Sequence, residues 1–365
     1  MARLFIFGNG YDIAHNIVDD EENMLTEYKS FKRWLIRNII KIKEPDFDEN
    51  SINLTEVFND VNWIEDEFIY REWYQLNKEE SKRLSFSETE AAQFAFAKVI
   101  VWFFKCIERK MNNSNTWEDF EINLGNLQEP IRELIESTGI NDEESFNIQK
   151  VSRIMNELKI LWKDWIVSIK LPDSLTKNEY DTNIVKEFNS NDIVISTNYT
   201  ETFESLFKDN GNVFHIHGDR RNTDDELIVG HGKKSYNDFS KAYDDMTVDQ
   251  VIYTVEYSLY KNVERIIEEK EEIFTKIKEL FGNDKESEIY SCGFSFSDVD
   301  KGYIEYIKHI IGNSYKVKWH LSKYDQTSEL KQIETRGETY KTYLERIGFD
   351  VDYVDYWFGG AKCQK

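Results

Sequence analysis

The sequence predicts an α/β protein, a parallel sheet with a large all-helical insertion between its first and second strands, and three observations predict it. Ile193–Ser196 and Val213–Ile216 are apolar runs rich in β-branched residues, so they read as buried strands of a parallel sheet. About ten helical residues, stopped at Gly211, lie between them and complete a βαβ crossover. From Ile13 to Phe188, by contrast, the periodicity is helical and glycine is scarce. Residues 1–12 and 189–365 are therefore assigned to the sheet-bearing core and 13–188 to the insertion.

The elements follow in order. Arg3–Phe7 is a short apolar run that stops at Gly8-Asn9-Gly10-Tyr11-Asp12. A strand turning through two glycines into a helix brings backbone N–H groups toward a ligand phosphate, although the dinucleotide fingerprint wants a third glycine where this chain has Ile13. A plain tight turn explains the same residues. Asp12 either caps the helix or faces the ligand edge.

Within the insertion, Tyr28–Lys43, Ser87–Asn112 and Asp142–Ile169 read as helices, and Pro45, Pro130 and Pro172 as element boundaries. Trp63–Glu67 and Trp117–Glu121 pair a tryptophan with carboxylates. They read as core-edge anchors with a solvated face, or else Glu67 or Glu121 lines a pocket.

The central unit ends its strands at Thr197-Asn198-Tyr199-Thr200 and at His217-Gly218. In open α/β sheets ligands bind at the carboxyl ends of the strands, so an amide and an imidazole placed there form a site hypothesis. As bland alternatives, Asn198 caps the next helix and His217 is a core histidine. Further on, Gly230-His231-Gly232 precedes Lys233 and Lys234, one of few places suited to an anion in so acidic a chain. Val251–Phe281 reads as one long charged helix with solvated faces and no chemistry.

Ser287–Ser291 is the next strand and runs into Gly293-Phe-Ser-Phe-Ser-Asp298, a glycine/serine turn suited to ribose hydroxyls or phosphate oxygens, before a helix Val299–Ile311. It is not a nucleophile elbow, because Ser297 stands where that motif requires glycine. Cys292 reads as a buried strand residue. Tyr315–Leu321, a helix Thr327–Ile347 and Phe349–Trp357 close the chain, with His309 and His320 structural.

Composition limits the function classes. The 46 basic and 69 acidic side chains leave a net charge of −23, which argues against a broad nucleic-acid or anionic-membrane surface but leaves room for a local basic pocket. Three widely spaced cysteines cannot build a four-cysteine zinc site, and nothing in their spacing suggests a disulfide framework. With no signal peptide and no apolar run of spanning length, the expectation is a soluble cytoplasmic protein without membrane contact.

The ordered set Gly8-Asn-Gly-Tyr-Asp12, Thr197-Asn-Tyr-Thr200, His215-Ile-His-Gly218, Gly230-His-Gly232 and Gly293-Phe-Ser-Phe-Ser-Asp298, with Trp117–Glu121, resembles the bacteriophage abortive-infection family AbiH. The layout also resembles the sirtuin-like NAD-binding superfamily. Together these resemblances imply a Rossmann-like, sirtuin-like sheet, a role in phage defence, and a nucleotide ligand, NAD, taken as substrate or ligand without zinc. By the same resemblance, Asn198 holds the nicotinamide ribose and the attacking water, and His217 is the base. Gly8 and Gly10 make the phosphate turn, while Gly293 and Ser295 meet the adenosine ribose.

With the ligand-edge residues Asn9, Asp12, Thr197 and Asp298, these form the candidate nucleotide site. The chain departs from sirtuin-like enzymes at Asn9, Asp12 and Thr200, and it lacks their zinc ribbon. Deacylation is therefore not expected, and hydrolysis of the nicotinamide–ribose bond is. An imidazole with an ordinary pKa near 6.5 suits the base, and an amide donates and accepts at once. His215 and His231 compete with His217 for that role.

Two other readings stay open at this level. One is a nucleotide-sensing module that does not consume its ligand. The other is a metal-dependent nuclease or phosphohydrolase using Asp12, Glu121, His217 and His231. A second copy of the chain or a phage-derived trigger is the expected protein partner.

Overall fold

The structure is a computed structural model that describes residues 3–15, 17, 28–53, 57, 86–110, 121, 123–130, 132, 148–186, 188–207, 212–222, 227–232, 256–283, 288–312 and 317–354. The chain divides into two compact units. The first comprises Met1–Glu27, Ile166–Lys233 and Lys261–Lys365, and the second Tyr28–Trp165 and Lys234–Tyr260.

The first unit is built on six strands: β1 (Arg3–Phe7), β2 (Ile193–Ser196), β3 (Val213–His215), β4 (Glu288–Cys292), β5 (Lys318–Leu321) and β6 (Asp350–Tyr353). They pair in the order β3-β2-β1-β4-β5-β6, and every pairing is parallel. The α/β reading of the sequence therefore holds. The order is doubly wound and reverses between β1 and β4, the kind of position where open parallel sheets bind ligands. Register brings Phe7 opposite both Ser196 and Cys292, and Ser196 opposite His215, so four strands end on one rim.

Alternation within the apolar runs divides the core in two, because successive side chains leave opposite faces of a sheet. Leu4, Ile6, Ile193, Ile195, Ile289, Trp319 and Val351 go to one cluster. It is closed by apolar stripes from α6 (Val263–Glu269), α7 (Glu271–Asn283), α8 (Lys301–Ile311) and α11 (Tyr340–Ile347). Phe5, Phe7 and Val194 go to the other, an aromatic cluster with Tyr11 of α1 (Asn9–Ala14), Tyr180, and Phe203 of α5 (Thr202–Leu206). Phe7 stacks on Tyr11 at 4.3 Å between ring centroids. The absence of polar alternation, the signal for a sheet covered on both sides, has this physical basis.

In the second unit, α2 (Tyr28–Leu35) runs into a π-helical turn, Ile36–Ile40, and packs on α3 (Phe86–Lys110). With the part of α4 (Ile148–Ser168) that lies in this unit, they enclose Tyr28, Phe31, Phe104, Trp162 and Trp165, all buried. Phe31 meets Trp162 edge-on at 5.1 Å. Glu121 is buried in this unit, whereas Trp63–Glu67 lies outside the described residues.

Several elements differ from the sequence expectation. The crossover helix α5 has five residues rather than ten, and Gly211 is outside the described residues. The helix expected over Thr327–Ile347 is two, α10 (Glu329–Arg336) and α11, and a further short helix, α9 (Lys323–Thr327), precedes them. A Ser322–Asp325 capping box starts α9, left-handed Gly337 ends α10, and Thr339 caps α11 by accepting from the Thr342 amide at 3.0 Å. The single helix expected over Val251–Phe281 is interrupted in the same way: Asn262 accepts from the Arg265 amide at 3.1 Å and starts α6 afresh. A periodic charge pattern conceals such breaks, because caps are themselves polar.

Gly282, near the end of α7, has no heavy atom within 4 Å of where a Cβ would stand. Gly282→Ala is therefore expected to stabilise the protein by about 0.5 kcal/mol through helix propensity. Thermal unfolding should show a rise of about 1 °C in Tm.

Candidate functional site

The rim at the carboxyl ends of β1, β2, β3 and β4 gathers most of the residues singled out from the sequence. Its floor is two glycine turns in direct contact. Gly8 N–H donates to the Cys292 carbonyl at 3.2 Å and Gly10 N–H to the Gly293 carbonyl at 3.1 Å. Cβ atoms at Gly8 and Gly10 would stand 2.5 and 2.6 Å from the Gly293 oxygen and Cα. These glycines thus permit two backbones to touch, and the two amides that a phosphate cradle would use are spent on that contact. Six-residue α1 begins at Asn9, and Gly8 is its N-cap, with no side-chain cap bond.

Asn198 is 7% exposed, and its side chain crosses the rim to donate from Nδ2 to the Gly8 carbonyl at 3.0 Å. It does not cap α5, whose N-cap is Glu201. Thr197 N–H donates to the Phe7 carbonyl at 2.9 Å, so β2 follows β1 past its last strand residue. Asp12 lies in the first turn of α1, buried rather than at an open edge. Its Oδ2 accepts from the Thr200 hydroxyl, and its Oδ1 is buried without a partner. Burial pushes its pKa up, against the pull of the Thr200 and Thr202 hydroxyls.

Two histidines leave the end of β3 with different surroundings. His215 donates from Nδ1 to the Asn198 carbonyl at 2.7 Å and meets Glu204 from Nε2 at 2.9 Å. Burial alone would lower its pKa, but the Glu204 carboxylate outweighs burial and holds it raised. Both nitrogens are engaged, so His215 is a structural cation. His217 is 3% exposed, and its Nδ1 donates to the Thr197 carbonyl at 3.2 Å. Its Nε2 makes no hydrogen bond and lies 3.7 Å from Asp300 Oδ1. Burial, and then Lys261, hold its pKa well below 6.5, so the ring is neutral near pH 7 with a lone pair on Nε2. Of the two histidines at the end of β3, His217 combines a neutral ring with a nitrogen left over, and His231 Nδ1 is likewise buried without a hydrogen-bond partner.

The turn after β4 contributes less than its sequence promised. Gly293 adopts φ +65°, and Phe296, with φ 50°, is held by Arg336, which donates to the Ser295 and Phe296 carbonyls. Ser295 Oγ accepts from the Ser297 amide at 3.3 Å. Asp298 is exposed and pairs with Lys301 at 2.6 Å, so it faces away from the rim contacts. The buried carboxylate is Asp300, two residues on, 3.5 Å from Lys261 Nζ. Cys292 is fully buried and its thiol is pushed up by burial, as expected for an inert strand residue.

Sequence reading missed Lys261 and Asp300. Lys261 was hidden inside a stretch read as a solvated helix, and the usable signal was Asn262, a helix start directly after a lysine. His231 is buried, and its carbonyl accepts the Lys261 amide at 2.9 Å, while Lys233 and Lys234 lie outside the described residues. Gly232 packs on the turn after β4, where a Cβ would stand 2.7 Å from Val299 Cα.

Among the described residues, Glu204, His215 and Asp219 bring three ligand-type atoms within 4.8 Å of one another. Arg221 already sits there, with Nη2 2.5 Å from both carboxylates. A guanidinium and the His215 imidazole thus already answer the two carboxylates, and the cluster contains none of Asp12, Glu121, His217 or His231.

No helix among the described residues is long and apolar enough to cross a membrane. A family model described as bacteriophage abortive infection AbiH matches residues 4–322. No curated protein matches the chain.

Proposed function

The chain belongs to the bacteriophage abortive infection family AbiH, which implies a role in abortive infection, and from that premise we propose that it acts by hydrolysing the nicotinamide–ribose bond of NAD at the β1–β4 rim. The observation that carries this reading is His217: a neutral imidazole, fixed through Nδ1 to the Thr197 carbonyl, with Nε2 left as an acceptor among polar groups. In this reading water attacks the anomeric carbon, and its proton passes to Nε2. The C–N bond breaks toward the nicotinamide nitrogen, which leaves neutral because it carried the positive charge. A leaving group of this kind needs no acid, and a transition state with oxocarbenium character needs only a weak base. Asn198, tethered to Gly8, orients the ribose and water through its amide. The sirtuin-like resemblance of the motifs supports the choice of NAD. Because the Gly8 and Gly10 amides are already engaged, the grip is assigned chiefly to the ribose end, with Thr197, Gly293 and Ser295 as its wall.

The test is nicotinamide release from NAD by the purified full chain, followed by chromatography. The expected result is turnover that falls by about 100-fold or more in Asn198→Ala and His217→Ala. A second reading, a nucleotide sensor without turnover, is favoured by how little of Asn198 and His217 is exposed. NAD recovered intact but bound with measurable affinity would select the sensor. NAD neither bound nor cleaved would remove both.

A further inference from the structure

Lys261, Asp300 and His217 come from three separate parts of the first unit and meet behind the rim. Lys261 precedes α6, Asp300 closes the turn between β4 and α8, and His217 follows β3. Their side chains are 1%, 8% and 3% exposed. One oxygen, Asp300 Oδ1, lies 3.5 Å from the lysine ammonium and 3.7 Å from the imidazole Nε2. A lysine and an aspartate are rarely buried to this degree unless they answer each other.

We propose that Lys261 and Asp300 are positioning residues for His217: the ammonium that Asp300 holds beside the imidazole keeps the ring neutral, with Nε2 turned to the charged pair as the acceptor of a hydroxyl proton. The role assigned to that proton rests on His217 being the base of the proposed hydrolysis, whereas the protonation state stands on the contacts themselves.

The argument is one of charge count. The Thr197 carbonyl only accepts, so Nδ1 carries a hydrogen. Protonating Nε2 as well would place a second buried cation beside Lys261. Among the described residues, the other contacts given for the ring and for Lys261 are uncharged. The Tyr303 ring of α8 lies 5.7 Å away between centroids, and the His231 carbonyl takes the Lys261 amide. His215, two residues back, is turned to Glu204. Burial and Lys261 both lower the His217 pKa, in the same direction as the count.

Lys261 also explains the otherwise unassigned Gly230-His231-Gly232 motif. The His231 carbonyl fixes the lysine backbone, and Gly232 lets the strap lie against Val299, one residue before Asp300. Two segments remote in the chain thus meet at Lys261, His231 at its backbone and Asp300 at its ammonium.

The experiment is an NMR titration of the full chain with labelled histidine, the His217 signal being assigned by its loss in His217→Gln. In the unaltered protein His217 should remain the neutral Nδ1–H tautomer through pH 6.5 and below. In Lys261→Met, Asp300 is left with the imidazole as its only cationic partner of the two, and the midpoint should rise by about one pH unit or more. Lys261→Arg keeps the charge and should keep the midpoint low. A His217 midpoint at or above 6.5 in the unaltered protein, or one that does not move in Lys261→Met, overturns the proposal. The first of these decides the matter even if Lys261→Met does not fold. Nicotinamide release is not the readout, so failure here is distinguishable from failure of the hydrolysis reading.

Discussion

Gly293→Ala is expected to be among the most damaging single-methyl additions in the first unit, costing on the order of 3 kcal/mol. Two effects add. Gly293 holds φ +65°, a conformation that costs a residue with a Cβ about 1 kcal/mol or more. The new Cβ would also stand 2.4 Å from the Tyr11 amide nitrogen and 2.5 Å from Gly10 Cα and carbonyl carbon. Those are backbone atoms and cannot swing aside as a side-chain tip can. The turn after β1 and the turn after β4 must separate, and separation breaks the Gly10 N–H to Gly293 carbonyl bond. Thermal unfolding should show a fall in Tm of about 6–12 °C. Gly8→Ala meets the same carbonyl from the other side, 2.5 Å away, so the double variant should cost less than the sum. A Gly293→Ala protein that melts within about 1 °C of its parent would show that the two turns are not the clamp described.

That clamp marks where sequence reading stopped. The strands were legible because burial on both faces removes polar alternation, and Leu4–Phe7, Ile193–Ser196 and Ile289 all obey it. The glycines were legible as special positions, but glycine chemistry is degenerate. A residue that lets a ligand approach the backbone equally lets another backbone approach, and at Gly8, Gly10 and Gly293 the neighbour is protein. Asn198 and His217 were found because polar residues ending apolar strands are conspicuous.

Asp298 was chosen over Asp300 for a comparable reason. Both follow the same turn, and only the fold says which faces inward. Lys261 was invisible because a charge within a charged amphipathic stretch has no local mark of burial. Its environment is made by Asp300 and His217, 39 and 44 residues away along the chain. The site was thus readable in its strand-end residues and unreadable in the charges that set their protonation.

Asp192→Ala should produce the other large effect, at the opposite end of the strands and with a different signature. Asp192 is fully buried just before β2 and accepts from Arg3 three times: from the amide at 3.0 Å, Nε at 3.2 Å and Nη2 at 2.5 Å. It also accepts from Asn189, through the amide at 3.1 Å and the side-chain nitrogen at 2.8 Å. One carboxylate thus fastens the start of β1 to the start of β2 across 189 residues of sequence, where Leu4 pairs with Ile193. Arg3 further donates to the Ile184 and Val185 carbonyls and lies 4.9 Å from the Phe5 ring centroid. Losing the carboxylate removes the five hydrogen bonds it accepts and a buried counter-charge of that guanidinium, at a cost of about 3–5 kcal/mol. If the lost counter-charge is the main cost, Arg3→Met/Asp192→Leu must be less damaging than Asp192→Ala alone, although it removes more hydrogen bonds. Urea unfolding of the single and double variants tests that ordering, and a double variant no more stable than the single one would assign the loss to hydrogen bonds instead. Because the rim residues lie at the other ends of these strands, the His217 titration of folded Asp192→Ala should match that of the parent.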